Sequence, residues 1–480
     1  MTTEISNFGR NVRFQPFESH LPKTEEQVLA ILRANAGRRV RAVGRLHSWG
    51  EALKADEVLL DLRHLDGVQI VQRDDQRFVT VGAGCQIKRA IAALDAEGLA
   101  LPSQGLITEQ TVVGAISTGT HGSGKHSLSH YAVEMRVAIY DSQTGEPTIK
   151  MICDGPELKA ARCALGCMGI ILSVTFPCQP QYLVEEHFRF YESLDQVLKA
   201  EDDFPVQQFF LLPHNWRFMA QHRRTVATRR SLLAPLYQAY CFLGIDIGLH
   251  LILLGMTRFI RSRRLVRLFY RRIVPWTIMR GWKVVDKSQR LLTMEHELFR
   301  HVEIEVFVKR SRLGKLVEFV HLMLLYCDGR TPVISEEVWS QLATADLKSP
   351  LQHLNGRYTH HYPICVRKVK PDDTLISMAS SDDEPYYAVS FINYNEPSRR
   401  GEFLEFASLL ARATALLFGA RPHWGKVCPI DSEAIEQLYP HLPEFRRICN
   451  SLDPGGAFRN SWVDKLVFES KPNASSALPT

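Results

Sequence analysis

The chain has 480 residues, 45% of them hydrophobic and 23% charged, proportions that exclude a disordered or fibrous protein and leave room for two domains. Its net charge of +6 is mild over that length and makes no case for nucleic-acid binding. The ten cysteines show no C-x-x-C pair and no zinc-ligand spacing, so no metal is expected and most read as small buried apolar residues of a reducing compartment. The start, Met1-Thr2-Thr3-Glu4, has no apolar h-region, and the expected location is the cytoplasm.

Thr24-Glu25-Glu26-Gln27 has the form of a capping box and predicts a helix to about residue 34. Residues 39–43 predict a strand that delivers a glycine-opened turn, Val43-Gly44-Arg45-Leu46-His47-Ser48. Residues 58–62 predict a further strand, and 68–71 with 78–81 a hairpin around Asp74-Asp75. A helix over 86–97 is stopped by Gly98, and Gly82-Ala83-Gly84 before it reads as a strand-to-helix turn. A second glycine-rich turn follows, Val113-Gly114-Ala115-Ile116-Ser117-Thr118-Gly119-Thr120-His121-Gly122-Ser123-Gly124, and then strands at 135–140 and 170–176. This opening is α+β in character.

Glycines and small hydroxyl residues let a polyphosphate approach the main chain, where consecutive N–H groups form an anion-binding concavity. Two such turns, about seventy residues apart, suit a long dinucleotide such as FAD held from both sides. The chain has no G-x-G-x-x-G opening a helix and no G-x-x-x-x-G-K-[ST], so the usual βαβ dinucleotide fold is not indicated.

Pro177-Cys178-Gln179-Pro180 predicts a boundary between a first domain, 1–178, and a second, 179–420. The second mixes strands (302–308, 387–392) with helices (316–325, 403–417), and 421–480 is expected to return to the first domain. The polar, proline-bearing end, 470–480, is predicted to be unstructured. Residues 232–260 are apolar enough to span a bilayer, with Asp246 near the centre, where a charge costs about 2.5–3.5 kcal/mol. Seven arginines between 258 and 272 follow, interleaved with apolar residues. This apolar–basic insert, 232–272, suits peripheral contact with the inner face of an anionic membrane more than a span. A buried helical hairpin with a solvated arginine face is the other reading.

Six motifs in order give the chain a family resemblance. They are Gly44-x-x-His47-Ser48; Thr111-Val112-x-Gly114 with the run from Ser117 to Gly124; Leu165-Gly166-x-x-Gly169-Ile170-Ile171; Val366-Arg367-x₅-Asp373-x-Leu375-Ile376-Ser377; Arg421-Pro422-His423-Trp424-Gly425-Lys426; and Asp453-Pro454-x-x-x-Phe458-x-Asn460. With these the chain resembles the aldonolactone oxidases of the vanillyl-alcohol-oxidase type, which include arabinono- and gulonolactone oxidases and alditol oxidases. The resemblance covers the first 180 and last 120 residues well and the middle poorly. It implies an α+β fold, with a two-subdomain PCMH-type FAD-binding domain and a cap domain built on a large antiparallel sheet flanked by helices.

It also implies roles for residues. His47 stands where the family bonds covalently to the flavin 8α-methyl; the alternative is a histidine that only packs on the ring edge. Gly44, Arg45, Leu46, Ser48, Thr111, Gly114, Ser117, Thr118, Gly119, Thr120 and His121 correspond to loops around the pyrophosphate and flavin, and Gly169 and Ile170 to a contact with the adenine or ribose. Gly105 corresponds to a position whose missing Cβ leaves room for dioxygen. Arg367 and Lys426 match charged residues beside the substrate and the flavin N1 side, where fixed positive charge stabilises the reduced ring. The family's Pro-x-Glu-x-Arg reads Pro363-Ile364-Cys365-Val366-Arg367 here, so a thiol replaces a carboxylate. Glu305 is a substitute from a neighbouring strand, although it shares a face with Glu303 and one of the two could point to solvent. His423 is a candidate proton acceptor.

The implied reaction is oxidation of a sugar-derived alcohol or aldonolactone by hydride transfer to FAD, with dioxygen reduced to peroxide. A membrane-surface dehydrogenase acting on a lipid-linked sugar, or passing electrons to a quinone, is the second reading. A flavin-binding scaffold without turnover is a third, supported only by the Glu-to-Cys change.

Overall fold

The computed structural model describes residues 4–295, 298–396 and 400–469; the tail at 470–480, expected to be unstructured, lies outside the described residues. Thr24 caps the helix Glu25–Ala34 as read, its Oγ1 accepting from the Gln27 N–H, while Gln27 Oε1 reaches back to the Lys23 N–H rather than to that of Thr24. That helix leads into a small parallel sheet ordered Glu18–His20, Val58–Asp61, Val40–Val43. A five-stranded antiparallel sheet follows, in the order Pro147–Ile152, Glu134–Tyr140, Ile170–Pro177, Gln76–Gly82, Val68–Arg73. It contains the expected hairpin, with Arg73 facing Gln76. Gly98 takes the positive φ of 66° that ends the helix Ile87–Ala96.

The second sheet has eight antiparallel strands, ordered Val284–Lys287, Leu183–Tyr191, Phe218–Val226, Gln208–Leu211, Ile364–Val369, Tyr386–Tyr394, His301–Lys309, Arg421–Pro422. The five-stranded sheet thus ends at Pro177, and the eight-stranded one begins at Leu183. Alternation sorts its side chains. In His301–Lys309, Val302, Ile304, Val306 and Val308 join the core with Leu316 and Phe319 of the helix Leu313–Cys327 and Phe403 and Phe406 of the helix Arg400–Phe418. His301, Glu303 and Glu305 project from the opposite face.

That opposite face is covered twice. The glycine-rich loops lie over its inner part. Over its outer part lies the insert, a continuous helical run Ala234–Ile260 followed by Arg263–Leu268 and Val274–Thr277. Tyr237, Leu253, Met256, Phe269, Tyr270 and Ile278 of the insert form a second core with Val184, Phe188 and Met219 of the sheet. The insert is thus packed on one side and exposed and apolar on the other.

The segment around Phe458 and Asn460 closes on the first domain. The buried Arg41 guanidinium donates to the carbonyls of Ala52, Leu165 (2.8 Å) and Phe458 (2.7 Å). Gly166, with φ +78°, admits it: a Cβ there would stand 2.9 Å from Arg41 Nη1. Asn460 donates to the carbonyls of Glu51 (3.0 Å) and Lys54 (2.9 Å). Two of the six motifs are therefore one device, in which the glycine of the third makes room for an arginine that holds the sixth.

Candidate active site

A single cavity of about 850 Å³ runs from the glycine-rich loops, across the face of the large sheet, to the insert. Gly44, Arg45, Leu46, His47, Ser48, Thr111, Gly114, Ser117, Thr118, Thr120, His121, Gly169 and Ile170 all border it, so most of the expected cofactor positions come together. The two turns touch each other. A Cβ on Gly44 would sit 2.3 Å, and one on Gly114 2.8 Å, from Thr111 Oγ1. Leu46 has φ +56°, a costly conformation for a branched residue and one that functional turns retain. His47 follows it and stacks on Phe8 with ring centroids 5.2 Å apart.

Three expectations need correction. Val113–Ser117 is not a turn, because Thr111 caps a short helix, Val112–Ser117, through the Gly114 N–H, and Ser117 Oγ donates back to the Val113 carbonyl at 2.8 Å. Gly105 does not border the cavity; a Cβ there would meet Thr120 Cγ2 at 2.6 Å. Gly119 does not border it either, having φ +78° and its open side against Met378.

The charged residues occupy the cavity-facing side of the large sheet, in register. One transverse row reads Met219, Phe210, Cys365, Ser390, Glu305, and the next Gln221, Gln208, Arg367. Glu305 is therefore two strands from Cys365, with Ser390 between, and not on an adjacent strand. Arg367 Nε donates to Gln208 Oε1 at 3.0 Å, and Gln208 donates to Gln221 at 2.7 Å. Both glutamates are buried, Glu303 at 6% and Glu305 at 2% exposure, so neither points to solvent. Glu303 accepts from Ser390 Oγ and from Lys426 Nζ, and that ammonium also lies 4.3 Å from the centroid of the Trp49 ring.

Glu305 sits between two histidines. His121 Nε2 is 3.4 Å and His423 Nε2 3.9 Å from its Oε2. His121 Nδ1 faces the Gly122 carbonyl at 2.9 Å, an acceptor, so that nitrogen carries a proton. His121 Nε2 and Glu305 Oε2 must then share a further proton, since two lone pairs would otherwise face each other. His423 Nδ1 accepts from the Gly425 N–H at 2.9 Å, which leaves its proton on Nε2. Burial pushes His423 down to about 3, so it is neutral. Burial works to raise Glu305, but His121, and then His423 and Lys426, outweigh it and hold the carboxyl below its usual range. Its Oε1 is buried, has no hydrogen-bond partner and belongs to a cavity-lining residue.

His121 was expected only as part of a cofactor loop; its side chain instead joins the acid–base cluster. No sequence signal could show this, because the partner is 184 positions away. The three side chains also have the spacing of metal ligands, within 4.8 Å of one another. Their hydrogen-bond directions are accounted for by a shared proton.

Beyond Cys365 the cavity wall is mainly apolar, with Gln238, Asp246 and His250 also on it. Phe188, Phe210, Leu212 and Met219 line it from the sheet, and Ile245, Leu249, Leu253, Phe269, Val274 and Ile278 from the insert. Tyr237 pins the insert there: its hydroxyl donates to Glu186 at 2.8 Å, and Glu186 also accepts from Arg223 Nε at 2.6 Å, all three being buried.

A family model described as FAD binding domain matches residues 20–144, and one described as D-arabinono-1,4-lactone oxidase matches 174–466. A long-chain alcohol oxidase of an uncultured marine euryarchaeote is 49% identical over 461 residues, 96% of each chain. The L-gulonolactone oxidase of Bos taurus is 26% identical over 481 residues, 97% of this chain and 98% of its own. A solvent-stable cholesterol oxidase shares the fold with a TM-score of 0.74, at 15% identity over 97% of both chains.

Proposed function

The chain belongs to the D-arabinono-1,4-lactone oxidase family of FAD-dependent oxidases acting on CH–OH groups, and from that premise we propose that its own substrate is a primary alcohol on a long apolar chain. The observation that carries this is the change in the cavity wall from Glu305, Arg367 and Gln208 near the glycine-rich loops to phenylalanine, methionine, leucine and isoleucine under the insert. A polyhydroxylated lactone would meet few acceptors among these apolar side chains, at a cost of about 1–3 kcal/mol for each hydroxyl left unpaired; an alkyl chain gains about 0.8 kcal/mol per buried CH₂. The 49% identical relative is named for long-chain alcohols, which supports the same substrate over the sugar-derived one expected from the sequence.

FAD, when bound, supplies the acceptor for the hydride leaving the carbinol carbon, and dioxygen takes the electron pair on to peroxide. Glu305 Oε1 accepts the hydroxyl proton, with His121 and His423 fixing the carboxylate. Arg367, held by Gln208, orients the oxygen. Lys426 provides fixed positive charge on the cavity wall, and Glu303 and Trp49 fix its position. His47, on the cavity wall, would hold FAD through a covalent bond. Residues 4–178 form the FAD-binding part and 179–420 the cap, whose sheet also takes in Arg421–Pro422 before the segment to 469 returns to the first part.

Anaerobic mixing with alcohols of increasing chain length, with the flavin band followed, tests the reading. Chains of about ten or more carbons should bleach it at lower concentration than butanol, and admission of air should release peroxide. Bleaching by aldonolactones or alditols, with long alcohols inert, would overturn it.

A further inference from the structure

The insert's outer face carries Leu232 (96% exposed), Leu236, Leu243, Leu251, Phe259 (76%) and Trp276 (88%), among others, and most of the large apolar side chains exposed among the described residues come from this one segment. A helix that is apolar all round belongs to a core or to a lipid environment. The inner side is accounted for: Tyr237, Cys241, Ile245, Leu249 and Leu253, each four residues on from the last, line the cavity. The outer side faces away from the protein.

We propose that this outer face docks on a lipid leaflet bearing anionic headgroups, with the insert lying in the interface plane and the cavity opening beside it. Charge decides the occupant. Between 232 and 283 stand nine Arg and Lys residues against one acid, Asp246. Asp246 borders the cavity and is not on the outward side. Arg258, Arg264, Arg271 and Arg272 are exposed among the apolar residues. A second copy of the chain would bring this basic face against itself, an unfavourable like-charge contact, whereas negative headgroups complement it at about 1 kcal/mol per basic residue.

The insert docks without crossing. A spanning helix would have to lift Tyr237 off Glu186 and carry Asp246 into hydrocarbon, and both are held at the cavity. Phe242 and Leu298 line the cavity and are also exposed, so the cavity reaches the surface at the edge of the docking face. An apolar alcohol dissolved in the leaflet could enter there. Docking itself requires no particular substrate and stands apart from the proposed function.

Flotation of the full-length FAD-loaded enzyme with phosphatidylcholine vesicles, with and without phosphatidylglycerol, tests it. The enzyme should float with the anionic vesicles, less so with the neutral ones, and dissociate in high salt. F259E/W276E should lower the bound fraction at least tenfold, and R264E/R272E should abolish the preference for anionic lipid, with FAD content and turnover of a short soluble alcohol unchanged in both. Enzyme that stays in the lipid-free fraction with both vesicles overturns the proposal. So does a dimer in solution that F259E/W276E dissociates, which would assign the face to a second copy, or membrane-bound enzyme that resists alkaline carbonate, which would indicate a span.

Discussion

Replacing Glu305 by glutamine separates the proton-accepting role of this residue from its structural one. The carboxylate is buried at 2% exposure, with His121 Nε2 and His423 Nε2 on one oxygen and nothing on the other. Glutamine has the same shape. With its nitrogen on that side the amide can donate to His121 Nε2, whose other nitrogen keeps its proton toward Gly122, while the longer approach of His423 Nε2, 3.9 Å from the same position, is lost. The closer contact is kept, so stability should fall by no more than about 1–3 kcal/mol. The proton acceptor is lost, and general bases of this kind contribute about 10²–10⁴-fold, or roughly 3–5 kcal/mol of activation free energy. Anaerobic stopped-flow reduction by a saturating long-chain alcohol should therefore slow by two to four orders of magnitude, with bound FAD and thermal midpoint close to wild type. The wild-type rate should hold as pH falls and decline only below the ordinary glutamate value of about 4.3, because the neighbouring histidines hold Glu305 beneath its usual range; E305Q should show no such limb. A rate within about fivefold of wild type would refute the assignment of Glu305 as the base.

Lys426→Met should slow flavin reduction by about 10²–10³, the usual effect of removing one fixed electrostatic partner, while FAD remains bound; a loss of FAD with normal reduction in the fraction still loaded would argue against it. Gly44→Ala drives a Cβ to within 2.3 Å of Thr111 Oγ1 and should yield mostly colourless protein, partly restored by Thr111→Gly. His47→Ala should release yellow FAD into acid supernatant or abolish its retention, and flavin still bonded to the denatured chain would remove His47 from that role. Burial, then the charges of His126 and Arg162, hold His130 down to about 4. A histidine neutral in the fold but titrating near 6.5 when unfolded stabilises fully above pH 6.5, and that contribution is lost as pH falls toward 4. The loss is at most about 3 kcal/mol. Denaturant midpoints should fall over this window, and His130→Gln should flatten the slope.

Much of this was legible in the chain because its local signals agree. The Thr24 cap, the hairpin at Asp74-Asp75, the Gly98 stop and the strand His301–Lys309 all formed where periodicity and turn chemistry placed them. The helix Val112–Ser117 was missed because a glycine inside six residues costs about 1 kcal/mol of helix propensity, and the surrounding turn residues pointed elsewhere; the Thr111 cap and the burial of Val112, Val113 and Ile116 outweigh it. Alternation placed Glu303 and Glu305 on one face but could not say whether that face met water. The site's chemistry depends on pairings such as His121 with Glu305 and Lys426 with Glu303, which local pattern does not encode. The insert's composition was plain from sequence, while its use as one wall of the cavity depends on a sheet formed by residues on both sides of it.

Arg41 has a consequence for biosynthesis. Its guanidinium joins a strand near the start of the chain to the carbonyl of Phe458 and, through Leu165, to the loop that presents Gly169 to the cavity. A ribosome-bound chain reaches residue 458 only as translation finishes. The flavin cradle thus lacks one of its ties until the chain is almost complete, while the ties to Ala52 and Leu165 can form early. Nascent chains stalled near residue 440 should retain FAD less well than the finished chain.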